Sequence, residues 1–223
     1  MVQVREKLQR RVVVIESPAP GDILDDRTEG EALTKALRLA GIPSEYFRAI
    51  NKSTFEESFH RSAGLGWSAR GTFQDGRVEH TIFVPFIHIS CHGNENGLAL
   101  TSGEFVPWCE LRQYLLSFAN AINIVSDGQD SHSWVSLTIS ACKGWNGYKM
   151  FHEGPPYPCF AVVGPHQDVD WCDSLIAFLT YFHHLIYKDS DVLVAVTRMN
   201  AALGSNQFRL SPFASNGPDS IRQ

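Results

Sequence analysis

The stretch FIHISCHGNENGLAL, residues 86–100, starts as an unbroken apolar run, reaches Ser90-Cys91-His92-Gly93, and then turns polar. Together with TIFVP before it, the run predicts a buried strand over 81–90. Continuous rather than alternating apolar character means both faces are covered, as in a parallel sheet between two layers of helix. A cysteine and a histidine side by side at the end of such a strand raise a chemical question. Neighbouring strand residues point to opposite faces, so Cys91 and His92 make poor partners for each other. Cys91 reads as core packing, and His92 needs a thiol from elsewhere if it has one at all.

Outward from this strand, RVVVIES (11–17), PSEYFRAI (43–50), WVSLTISA (134–141) and CFAVVG (159–164) read as further strands. Between them lie helical periods. Residues 29–40 repeat Leu33, Leu37 and Ala40, with Thr28 and Glu31 as a capping box and Gly41 as a stop. Residues 53–64 open on Ser53 and Glu56, a second capping-box pattern. Helices are also expected over 107–125 (Leu111, Leu115, Phe118), 173–188 (Leu175, Leu179, Phe182, Ile186) and 191–204, although the start of the last also suits a strand. GLAL and EFVPW suggest a small hairpin, and 64–80 a loop or hairpin. Segments 18–28, 127–133 and 143–158 read as loops, and the tail after 204 as polar and irregular. The order implies an α/β three-layer sandwich: a mostly parallel central sheet with helices on both faces. Neither a repeat nor a linker divides the chain, so residues 1–223 read as one domain with a core over about 11–204.

Composition narrows the function. Of 223 residues, 43% are apolar and 19% charged, with a net charge of −5, which suits a globular protein. No lysine- and arginine-rich block offers a nucleic-acid or membrane surface. MVQVREKLQRR lacks the apolar centre of a secretion signal, so a cytoplasmic location is expected. The cysteines, at 91, 109, 142, 159 and 172, contain no C-x-x-C pair, which argues against a zinc site and for free thiols. No metal and no cofactor is expected. The first strand is followed by neither of the glycine-rich phosphate-binding patterns, which leaves nucleotide binding a weak alternative.

In an open parallel sheet, function gathers at the carboxyl ends of the strands. Two strands end in reactive residues there: Ser90-Cys91-His92-Gly93 and Ser140-Ala141-Cys142-Lys143-Gly144. If those strands are neighbours, His92 and Cys142 share one cleft, the arrangement a thiol nucleophile needs from its base. Gly93 and Cys142 could then offer backbone N–H groups as an oxyanion hole. The bland reading of each is a core cysteine and a hydrogen-bonded loop histidine. His88, on the same side as His92, reads as a satisfied buried histidine, and His183-His184 as part of a helix rather than a metal site.

HISCHGNENGLAL followed by LTISACKG resembles the caspase-like (clan CD) cysteine peptidases, and most closely their CHAT branch. The likeness is a strand ending in His-Gly, a hairpin and a helix, then a strand ending in Ser-Ala-Cys-x-Gly. Caspases carry Gln-Ala-Cys-x-Gly with the histidine about 50 residues upstream. Here the separation is 50 (142 − 92), while Ser140 departs from glutamine. The likeness extends loosely over about 11–204. Only 143–158 separates the cysteine from the next strand, which favours a single-chain enzyme over one cut into subunits.

The resemblance implies a cysteine endopeptidase in which Cys142 attacks a protein substrate and His92 moves the proton. It implies a substrate pocket built from the loops after the first and fifth strands, where Asp25, Asp26, Asp168, Asp170 and Trp171 stand near Asp22 and Asp173. Carboxylates in those loops favour a basic residue before the cut, although solvated loop acids are the plainer reading of any one of them. It also implies control by an activating or sensor protein in a prokaryotic stress or defence system. The rival reading is a caspase-fold interaction module without hydrolytic activity.

Overall fold

Val12, Val13, Val14 and Ile15 are all fully buried, because the strand that carries them has helices on both sides. The computed structural model describes residues 4–72, 78–123 and 133–212. Among these, the strands are β1 (Val4–Ser17), β2 (Ser44–Arg48), β3 (Ser68–Thr72), β4 (Val78–Asn94), β5 (Gly97–Ala99), β6 (Phe105–Pro107), β7 (Ser136–Ser140), β8 (Ala161–Pro165) and β9 (Phe208–Pro212). The helices are α1 (Pro20–Leu24), α2 (Glu29–Leu39), α3 (Lys52–Ala63), α4 (Trp108–Ala121), α5 (Trp171–Phe182) and α6 (Val192–Leu203). The main sheet runs β2-β1-β4-β7-β8-β9, with β3 and the small β5–β6 ribbon attached to β4. Pairing is parallel from β2 through β8, and β9 closes the sheet antiparallel. The chain is therefore an α/β protein with a mostly parallel sheet.

Two cores lie on the two faces. On one, Val13, Ile15, Ile87, Ile89, Leu137 and Ile139 pack against Phe55 and Phe59 of α3 and Leu111, Leu115 and Phe118 of α4. On the other, Val12, Val14, Phe86 and Val163 pack against Leu33 and Leu37 of α2, Phe178 and Phe182 of α5, and Met199 of α6. Each such aliphatic side chain withdrawn from water contributes about 1.5–3 kcal/mol.

Several boundaries differ from expectation. β1 starts at Val4 rather than 11, because β4 is long enough to pair with it from Val78 to Cys91. Within 64–80, β3 forms the antiparallel hairpin arm that meets the start of β4. The loop expected at 18–28 contains α1, with Pro20 at its first position, where a missing N–H costs nothing. The 143–158 loop contains a 3-10 helix over Gly144–Glu153. The tail after 204 is not irregular throughout. Phe208 is buried, and Asn200 grips its backbone from both sides, donating to its carbonyl at 2.9 Å and accepting from its N–H at 3.0 Å. That clamp starts β9.

Neither capping box forms as expected. Thr28 makes no side-chain cap, and Glu31 instead pairs with Lys35 and Arg48. α3 is capped two residues earlier than expected, by Asn51 with Thr54. The helix expected over 173–188 is regular to Phe182 and widens into a π turn over His183–Tyr187. The loop expected at 127–133 lies, up to residue 132, outside the described residues.

The face toward α2 and α5 turns polar as it nears the carboxyl edge. His88 and Ser90 of β4 lie beside Thr138 and Ser140 of β7, and all four are buried. His88 Nδ1 is 2.9 Å from the Thr138 hydroxyl, and its Nε2 is 3.5 Å from Glu29 Oε2. Neither oxygen of Glu29 accepts a hydrogen bond among the described residues. Glu16, next to it, accepts 2.6 Å bonds from the Gly30 N–H and the Tyr46 hydroxyl, yet burial still holds its carboxyl above the ordinary range.

Replacing His88 with leucine removes the basic side chain that stands 3.5 Å from the buried Glu29 carboxyl. His88→Leu is expected to destabilise the protein by about 3–5 kcal/mol, and adding Glu29→Leu to recover most of that loss. Urea unfolding of the two variants measures both.

A second constraint holds the loop after β7. A Cβ on Gly164 of β8 would lie 2.8 Å from Trp145 N, 2.9 Å from Gly144 C and 3.1 Å from Ile139 O. All three are backbone atoms, so the chain itself has to move. Gly164→Ala is expected to cost about 1–3 kcal/mol in thermal unfolding, as other overpacked sites do.

Candidate active site

The β4–β7 pairing ends at Ser90 opposite Ser140. His92 and Cys142 each lie two residues beyond the last paired residues, His92 still within β4 and Cys142 in the turn that follows β7. Both stand at the carboxyl edge of adjacent parallel strands. Cys91, one residue out of phase, is buried in the opposite core, and burial pushes its thiol up and away from reactivity.

Gly93 makes this meeting close. A Cβ there would sit 3.1 Å from Ala141 Cβ and 3.3 Å from Cys142 O, so a side chain at 93 would push the two strand ends apart. After Cys142 the chain reverses. Lys143 adopts φ 58°, a left-handed conformation that is strained for a residue with a side chain. Its N–H donates to Gln167 O at 3.0 Å, and the Gly144 N–H to Ala141 O at 2.9 Å. Lys143 Nζ is 3.2 Å from Glu95 Oε2, and Lys149 Nζ donates to Glu95 O at 2.6 Å. The tip of the β4–β5 hairpin thus straps the cysteine loop. The Cys142 sulfur is half-buried, 3.9 Å from Val169 O.

His92 is held from its other side. Its Nε2 lies 2.7 Å from Asp22 Oδ2, and its ring meets Trp171 edge-on at a centroid distance of 5.2 Å. The Trp171 indole N–H donates to Asp22 Oδ1 at 3.2 Å, and the Ala19 N–H to Asp22 Oδ2 at 3.1 Å. Arg27 stands 3.4 Å from Asp22 Oδ1. The exposures separate the roles: the His92 side chain is 46% exposed, that of Asp22 only 6%. Burial alone would raise the Asp22 carboxyl, but the bonds and charge from His92, then those from Trp171 and Ala19, outweigh it and hold the group below the usual range.

The sequence-predicted residues divide. His92 packs against Trp171, and Gly93 lies against the Cys142 backbone. Asp168 and Asp170 are exposed in the loop before α5, where Asp168 is one of the charges felt by Lys143. Asp25 is exposed and paired with Arg27 at 2.8 Å, and Asp26 is exposed with φ 54°. Among the described residues, no salt bridge within 4 Å engages Asp26, Asp168 or Asp170. The residue that sequence reasoning passed over is Asp22. It was visible only as one loop acid among three, and Pro20 opening a helical turn was the single local sign that its side chain had a fixed direction.

Among the described residues, no group of three histidine, cysteine or carboxylate side chains is placed to hold a metal ion. No helix there is long and apolar enough to cross a membrane. No family model matches the chain, and no curated protein matches it in sequence.

Proposed function

We propose that the chain is a caspase-like cysteine endopeptidase, nearest in its motifs to the CHAT branch, with Cys142 as nucleophile and His92 as proton carrier. The observation that supports this reading is that residues 92 and 142 each follow by two residues the ends of the paired stretches of neighbouring parallel strands at one sheet edge. The Cys142 thiol gives its proton to His92, and the sulfur attacks the substrate carbonyl carbon. The carbonyl π electrons move to oxygen, which meets the backbone N–H groups of Gly93 and Cys142. The carbonyl re-forms, the C–N bond breaks, and the amine leaves with the proton from His92. A thioester remains on Cys142, and water, deprotonated by His92, hydrolyses it. The chemistry needs no cofactor.

The exposed carboxylates Asp26, Asp168 and Asp170, together with Asp25, favour a substrate with lysine or arginine before the cut. Arg27 already offsets one of them, so the preference is for a single positive charge. The motif likeness also suggests activation by a sensor protein in a stress or defence response.

The exposed Cys109 and Cys172 are built-in references for thiol reactivity, while Cys91 and Cys159 are buried. At pH 6.5, iodoacetamide is expected to alkylate Cys142 at least about tenfold faster than Cys109 or Cys172, as a thiolate-forming cysteine does. Equal rates in a mass-spectrometric time course would favour the rival reading, an interaction module of the same fold.

Peptide libraries varied at the residue before the cut test the rest. Cleavage after lysine or arginine is expected, abolished by Cys142→Ala and lowered about 10²–10⁴-fold by His92→Ala. A preference for apolar or acidic residues overturns the carboxylate pocket and leaves the dyad in place.

A further inference from the structure

An imidazole that serves a thiol has two nitrogens, and here one is already taken. His92 Nε2 faces the buried Asp22 carboxylate at 2.7 Å, so that nitrogen carries a proton and donates it. Only Nδ1 is then free to exchange a proton with Cys142. Asp22 is itself fixed by the Ala19 N–H, by the Trp171 indole and by the nearby Arg27, and it reaches the site from α1, on a different part of the chain from either reactive residue.

We propose that Asp22 is the positioning residue of the site. It locks His92 in the Nε2–H tautomer, turns Nδ1 toward Cys142, and stabilises the imidazolium formed when the thiol gives up its proton. Trp171 is the second support: its indole N–H directs the carboxylate, and its edge bounds the imidazole ring. This rests on the peptidase reading of Cys142 and His92. The groups with charge around the pair are Asp22 and Arg27 beside α1, Asp25 through Arg27, Lys143 and Glu95 beyond the cysteine, and Asp168, Asp170 and Asp173 before and within the start of α5. Of these, only Asp22 touches the imidazole, which makes its charge the one to remove.

Asp22→Asn is the suitable change, because the amide oxygen still accepts the Ala19 N–H while the charge is gone. In the wild-type protein, ¹⁵N NMR should show His92 protonated at Nε2 when neutral. A neutral Nδ1–H form would overturn the proposal without any variant. In Asp22→Asn, alkylation of Cys142 by iodoacetamide at pH 6.5 should fall about tenfold relative to Cys172. Trp171→Phe, which keeps the ring but not the N–H, should give a smaller change in the same direction. Unchanged alkylation in a folded Asp22→Asn protein sinks the role of Asp22. If instead the wild-type Cys142 reacts no faster than Cys109 and Cys172, the peptidase reading fails, and the tautomer of His92 still decides whether Asp22 orients it.

Discussion

The site depends on the register between β4 and β7. Phe86 through Ser90 lie opposite Ser136 through Ser140, one for one. Because side chains alternate, a slip of one residue would turn one strand's reactive residue to the opposite face. What prevents the slip is on the far side of the sheet. Ile87 and Ile89 of β4, and Leu137 and Ile139 of β7, are all fully buried against α3 and α4. Moving any of them to the polar face would exchange aliphatic burial for buried hydroxyls and a histidine. Hydrophobic packing on one face thus fixes the phase of the chemistry on the other.

The sequence made this part legible because the relevant signals are local and periodic. Unbroken apolar runs marked the buried strands, Leu33 and Leu37 marked a helix face, and parallel strands share a direction, so their reactive ends fall on one edge. The parts that were not legible depend on contacts between distant segments. β9 exists because Asn200, eight residues before Phe208, holds that residue's backbone in place. The extension of β1 back to Val4 depends on the length of β4, and neither strand shows it alone. The capping boxes failed for a related reason: the acidic residue of the first was recruited by Arg48 of β2, a partner no local pattern can reveal. Asp22 belongs to the same class, since its direction is set by Ala19, His92 and Trp171 together.

Carboxylates surround this cleft, and burial sorts them. Asp22 is sequestered and bonded on both oxygens, which suits a group that must stay charged and immobile. Asp26, Asp168 and Asp170 are exposed, and long side chains entering from solvent can reach them. Arg27 stands between the two sets, bonded to Asp25 and close to Asp22. A lysine or arginine arriving at the outer carboxylates would meet Arg27 as a like charge, which limits how deeply a cation can penetrate toward Asp22. On the proposed reading, a cationic substrate drawn to the outer acids would leave the inner one unneutralised.

The buried polar strip beneath the site has a cost that the fold offsets elsewhere. Glu29, His88, Thr138, Ser90 and Ser140 occupy positions that aliphatic side chains would fill to greater stability. The strip follows the paired part of β4 and β7 and ends at Ser90 and Ser140, two residues short of His92 and Cys142. Among the described residues the opposite face carries no comparable strip, and its aromatic cluster of Phe55, Phe59, Trp67, Tyr114 and Phe118 packs edge-to-face and stacked beneath the strands. The α2–α5 face carries its own edge-to-face cluster of Phe86, Phe178, Tyr181, Phe182 and Phe208 beside the polar strip, so apolar packing on both faces offsets the cost of the strip.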